Sequence, residues 1–155
     1  MKKIISVFGI LGLLFTTGLF AGKPSTPEPS VAKKVGAHYI TVEEAKKAQS
    51  SGALLLDTRK SKEVAQATIL GSKTALYKEK GGNKNRMAQW DDSKDKFDTS
   101  NIPADKSTAL ITFCNGSHCW RSFKSAVTLT KMGYTNVRWM RDGFPGWKKA
   151  GYPTK

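Results

Sequence analysis

The pattern of apolar and polar positions divides the chain into three segments. Residues 4–14 are almost continuously apolar, broken only by Ser6 and two glycines. Residues 22–37 have no apolar period and carry Pro24, Pro27 and Pro29 among serine, threonine and lysine, a composition that predicts a flexible linker. From His38 to the C-terminus the periods alternate between those of strands and helices. His38-Tyr39-Ile40 is a short strand candidate. Thr41 and Glu44 form a capping box that opens a helix running to Ser50, with Gly52 as its stop. Ala53-Leu54-Leu55-Leu56 is a continuous apolar run, as in a parallel strand buried on both faces, and it ends in Asp57-Thr58-Arg59. Ser61 to Gln66 predicts a helical turn, and Ile69 to Ala75 a weaker strand. Tyr77 to Lys106 is a polar excursion containing Gly81-Gly82, with Met87, Trp90 and Phe97 available to pack it onto the domain. Ala109 to Phe113 is a second buried strand. Phe123, Ala126, Val127 and Thr130 have helical spacing within Trp120 to Met132, and Gly133 ends that helix. Asn136 to Met140 is the last strand and Gly146 to Ala150 a last helical turn.

This alternation predicts a single α/β domain over residues 38–155, with a central, mostly parallel five-stranded sheet flanked by helices. Crossovers in such a sheet are right-handed, and ligands bind beyond the carboxyl ends of its strands. Two features fall at those ends: Asp57-Thr58-Arg59 and the segment that follows Phe113.

Charge and the leader narrow the setting. Lys2 and Lys3 precede the apolar stretch, and Leu19-Phe20-Ala21 closes it, so residues 1–21 read as a signal peptide cleaved near Ala21. The expected location is the periplasm or the exterior. Left uncleaved, the apolar stretch of about 17 residues is at the lower limit for a membrane anchor. No cysteine follows it closely, so a lipid-anchored lipoprotein is not indicated. The formal net charge is +14, or +12 once Lys2 and Lys3 are removed. An acidic protein partner or a membrane surface fits this excess. The lysines are scattered and not interleaved with aromatics, which argues against nucleic acid. A monomer is expected, with no cofactor. No metal site is expected either, since the chain has two histidines and its two cysteines lack a second ligand pair.

Those cysteines, Cys114 and Cys119, share one loop. Closing so small a ring adds little stability, so the pair is better explained by chemistry than by stapling. The segment Cys114-Asn115-Gly116-Ser117-His118-Cys119-Trp120-Arg121-Ser122 has a strand leading in and a helix leading out. Unpartnered N–H groups at the helix start and the positive end of its dipole make an anion site, and Gly116 permits the curl that aims them inward. A cysteine there has its thiolate favoured. Cys114 is thus the candidate nucleophile. Arg121 and His118 add positive charge, Ser122 steadies the loop, and Trp120 reads as packing. Cys119 has three readings: a thiol that resolves a Cys114 persulfide, a loop-locking disulfide partner, or an inert thiol. Asp57 and Arg59 read as supports that hold the sheet edge.

The ordered set of motifs resembles the rhodanese family of sulfurtransferases. It comprises Asp57-Thr58-Arg59, Ile69-Leu70-Gly71-Ser72, Cys114, Arg121-Ser122, Gly133-Tyr134-Thr135-Asn136-Val137 and Asp142-Gly143-Phe144-Pro145-Gly146-Trp147, and the resemblance covers residues 38–153. The resemblance implies a rhodanese-like fold with Cys114 carrying sulfane sulfur as a persulfide. The donor would be a small thiosulfate-like anion or a persulfide, and the acceptor a thiol or other nucleophile. In one respect the chain departs from the pattern. The family usually places its Arg five residues after the Cys, whereas Arg121 is seven after Cys114 and Cys119 lies between. The Cys-x4-Cys-Trp form is similar to that of an exported subgroup. Three other readings remain: a thiol–disulfide redox protein using Cys114 and Cys119, a non-catalytic binding module, and a phosphatase, which the extra-long loop disfavours.

Overall fold

The computed structural model describes residues 25–80, 87 and 90–155. The signal peptide expected at 1–21 and the Gly81-Gly82 pair lie outside these residues. Along the described chain run α1 (Pro29–Lys33), β1 (His38–Tyr39), α2 (Val42–Ser50), β2 (Leu54–Asp57), α3 (Ser61–Gln66), β3 (Lys73–Thr74) and β4 (Tyr77–Lys78). A 3-10 turn at Asp92–Lys94 follows, then β5 (Lys96–Phe97), β6 (Leu110–Phe113), α4 (Trp120–Lys131), β7 (Val137–Met140) and α5 (Gly143–Lys149). Five strands form one sheet in the order β1-β7-β6-β2-β3, and every pairing in it is parallel. The fold is therefore the α/β architecture expected from the alternation of periods.

The central strands are short and largely buried, β6 at every position, because helices cover both faces. Leu56, Leu110, Val137 and Trp139 pack on one side with Phe123, Ala126 and Val127 of α4. Leu55, Ile111, Phe113 and Met140 pack on the other with Val42 and Ala45 of α2 and Phe144 and Trp147 of α5. Successive strand residues thus serve opposite layers, as the period of two requires. Each such fully buried apolar side chain contributes about 1.5–3 kcal/mol. The start of α2 has the expected capping box: Glu44 N–H donates to Thr41 Oγ1 at 3.2 Å, and Thr41 N–H donates to a Glu44 carboxylate oxygen at 2.9 Å.

Three expectations are corrected. The segment read as a flexible linker is ordered from Ser25 onward and contains α1. Pro29 opens that helix, a position where its missing N–H costs nothing, and Ala32 and Ala37 are fully buried against the α4 side of the core. The hydroxyl of Thr130 on α4 donates to the Gly36 carbonyl at 3.0 Å. The weaker strand over Ile69 to Ala75 shrinks to Lys73–Thr74. Gly71 turns the chain at φ +81°, and Ile69 instead bridges antiparallel to Thr154. The last helix begins at Gly143, three residues before Gly146, since Pro145 is tolerated in a first turn.

The polar excursion is organised by a buried cation. Strands β4 and β5 form an antiparallel ribbon, and the Lys124 ammonium of α4, fully buried, lies 2.7 Å from Glu79 and 3.9 Å from Asp95. Asp95 also accepts from Tyr77 Oη at 3.0 Å and Trp90 Nε1 at 2.9 Å. Burial and then the bond to Asp95 push the Tyr77 phenol well above its ordinary range. Met87, Trp90 and Phe97 pack on the core as their apolar character predicts. No helix among the described residues is long and apolar enough to cross a membrane.

Candidate active site

Strand β6 delivers Cys114, fully buried, at its C-terminal end, and the half-buried Cys119 is the N-cap of α4. The two are joined by a disulfide with their Cα atoms 6.0 Å apart. The intervening loop curls at Gly116, whose φ of +93° suits the residue the curl was expected to need, and Cys119 N–H donates to the Gly116 carbonyl at 2.9 Å.

The loop is held on three sides. At its base, Phe144 N–H donates to the Cys114 carbonyl at 2.7 Å. Gly143, at φ +59°, lies so close that a Cβ there would collide with the Cys114 carbonyl oxygen and sit 2.7 Å from Gly116 N. At its tip, the N–H and hydroxyl of Thr26 both donate to the Ser117 carbonyl, at 2.7 and 2.8 Å. Arg141 fixes Thr26 in turn, donating to its hydroxyl and carbonyl at 3.2 Å each and to Glu28 at 2.9 Å. Ser25 Oγ lies 3.3 Å from His118 Nε2. On the third side, Asn115 Nδ2 donates to Glu63 at 2.5 Å. Burial raises the Glu63 pKa, but the Lys60 N–H, the Asn115 amide and Arg121 outweigh it and hold the carboxyl below its ordinary range.

Arg121 does not line the same cavity as the loop. It lies between Glu63 and Glu79, 4.0 and 3.9 Å away, and borders a groove of about 440 Å³ with Lys60, Lys62 and Lys78. The cavity over the loop, about 670 Å³, is lined by Asn115 to His118, Val42, Glu43, Asp142 and one side of α5 from Pro145 to Lys149. Ser122 is buried, accepting from Trp139 Nε1 at 3.1 Å on its hydroxyl and from Thr112 Oγ1 at 2.8 Å on its carbonyl, so it ties the start of α4 to the sheet. Trp120 is buried in an edge-to-face contact with Phe123. Asp57 and Arg59 form a buried pair at 2.7 Å. Arg59 also donates to the Ala67 carbonyl at 2.6 Å and its guanidinium lies 4.1 Å from the centre of the Phe144 ring. The pair therefore supports the residue whose N–H holds the Cys114 carbonyl.

Thr26, Arg141, Gly143 and Glu63 are the site's unforeseen members. Gly143 and Phe144 were visible as a motif but not as a clamp. Thr26 and Arg141 are 115 positions apart, and nothing local marks them as partners. Arg141→Ala is expected to release the strap at Ser25–Glu28, raising amide exchange at Thr26 by about tenfold, the effect of losing charge-assisted bonds of about 1.4 kcal/mol. Native-state exchange checks this, and unchanged protection at Thr26 would contradict the clamp.

Comparison with known proteins adds the following. The family model described as rhodanese-like domain matches residues 41–150. Among solved structures, the chain is similar to a thiosulfate sulfurtransferase from Pseudomonas aeruginosa at 20% identity and TM-score 0.58, covering 82% of this chain and 22% of that one. A protein of unknown function from Rhodopseudomonas palustris, described as a possible tyrosine phosphatase, aligns at 22% identity and TM-score 0.56, covering 86% of this chain and all of that one. A Bacillus halodurans protein aligns at 18% identity and TM-score 0.55, over 81% of each chain. No curated protein matches the chain.

Proposed function

The chain belongs to the rhodanese-like domain family, and on that premise we propose that it is an exported sulfurtransferase that carries sulfane sulfur on Cys114. The observation that carries this reading is the position of Cys114. It ends a central strand at the foot of a loop whose base, tip and flank are each anchored, and the loop opens into the start of a twelve-residue helix. Helix-terminal N–H groups and the dipole favour a thiolate, and equally the anionic persulfide made from it. The cycle starts from the reduced pair. The Cys114 thiolate attacks the outer sulfur of a thiosulfate-like anion or a persulfide donor. The new Cys114 Sγ–S bond forms as the donor's S–S bond breaks, and the donor leaves with the electron pair, as sulfite from thiosulfate. A thiol or other nucleophile then accepts the sulfur, completing covalent two-step catalysis. The apolar leader at 1–21 and the paired cysteines support action in an oxidising compartment outside the cytoplasm.

The test is direct. Reduced protein mixed with thiosulfate and quenched rapidly with an alkylating agent is expected to release sulfite and show one added sulfur on Cys114 by peptide mass spectrometry. Cys114→Ser is expected to do neither. Absence of sulfite and of added sulfur from the reduced wild type would reject the reading.

A further inference from the structure

We infer that Cys119 is a second catalytic residue, resolving the Cys114 persulfide internally, so that sulfane sulfur leaves as sulfide and the Cys114–Cys119 disulfide is the product state of each turnover. This rests on the proposed sulfur loading of Cys114. Three observations point to it. The two sulfurs are bonded while the loop keeps its anchors at Asn115, Ser117 and the Cys114 carbonyl, so the product geometry is compatible with every one of those anchors. Cys119 is the N-cap of α4, where the helix dipole favours its thiolate as an attacking group. Burial is asymmetric: Cys114 has no exposed surface in the disulfide, whereas Cys119 is partly exposed.

The chemistry balances. The Cys119 thiol gives up its proton and attacks Cys114 Sγ. The Cys114 Sγ–S bond breaks, the outer sulfur departs with the electron pair and takes the proton, and Cys114–S–S⁻ plus Cys119–SH become the disulfide plus HS⁻. The sulfane sulfur is reduced and the two thiols are oxidised. Resetting the site takes two electrons from an external dithiol. The exposure difference directs that reductant to Cys119. Its thiolate attacks the Cys119 sulfur, Cys114 leaves as the free thiolate, and the second thiol of the reductant clears the mixed disulfide. The Cys114 thiolate is thereby free to react only when reducing equivalents are present, and the pair links sulfur acceptance to a dithiol supply.

The experiment uses the full chain, reduced with a dithiol and freed of it, then given thiosulfate or, separately, glutathione persulfide. Wild type is expected to release sulfide in about equal amount to protein and to finish with the intact mass of the disulfide form. Cys119→Ser and Cys119→Ala are expected to keep the added sulfur on Cys114 and to release sulfide at least about tenfold more slowly. Wild type that retains the added sulfur with Cys119 alkylatable would overturn the inference while leaving sulfur loading intact, as would sulfide release from both Cys119 variants at the wild-type rate. Failure of wild type and both variants to take up sulfur from either donor would remove the loading step, and the inference with it.

Discussion

Gly143→Ala is expected to destabilise the protein by about 2–5 kcal/mol and to disrupt sulfur loading with it. Two separate costs combine. Gly143 has φ +59°, and a left-handed backbone at a residue with a Cβ costs about 1–2 kcal/mol. The added methyl also strikes backbone atoms of Cys114 and Gly116, which belong to the anchored loop and cannot swing aside as the end of a long side chain would. Overpacking of this kind costs about 1–3 kcal/mol. Relief requires the loop to move from α5, which breaks the Phe144 N–H bond to the Cys114 carbonyl. Gly133→Ala is the control. Its φ is +90°, and nothing lies within 4 Å of where its Cβ would be, so it bears the backbone cost alone. Urea denaturation of both variants separates the two terms. Equal losses of stability in the two variants would show that the contact with the cysteine loop carries no energy.

The clamp also shows where sequence patterns stop being informative. Strand and helix periods were readable because the core enforces them. Leu110 to Phe113 is buried on both faces, and so is apolar but for Thr112, whose hydroxyl donates to the Ser122 carbonyl. Phe123, Ala126 and Val127 recur at helical spacing because α4 lies along the sheet. Thr41 and Glu44 were readable because a capping box is local. What escaped was long-range and polar. The strap at Ser25–Glu28 looks like a linker in composition because its order comes from Ser117, Arg141 and the buried face of α1, not from its own pattern. Arg121 illustrates the converse. Its place beside the cysteine loop suggested an anion ligand, but two carboxylates brought in by α3 and the excursion hold it over a different groove. Glu79 had no visible reason to be there until Lys124 proved to be buried beside it.

The second large effect is expected from Asp57. Its carboxylate accepts from the Arg59 backbone N–H at 3.0 Å, from the Arg59 guanidinium at 2.7 Å and from Thr68 Oγ1 at 2.6 Å, and none of these groups is open to solvent. Asp57→Ala leaves the Arg59 guanidinium buried beside Phe144 without its counter-charge. Breaking one side of such a pair costs about 3–5 kcal/mol, whereas replacing both partners by well-packed apolar groups is often neutral. Asp57→Leu combined with Arg59→Met is therefore expected to recover most of what Asp57→Ala loses, giving a coupling energy of about 2 kcal/mol or more between the two positions. Denaturation of the single and double variants measures it. A loss below about 1 kcal/mol in Asp57→Ala would mean that the pair does not support the fold. Activity of the double variant then separates support from chemistry. If the pair acts only by placing Phe144 under the Cys114 carbonyl, a folded double variant still releases sulfite from thiosulfate. A folded double variant that cannot do so would mean that one of the two groups meets the substrate.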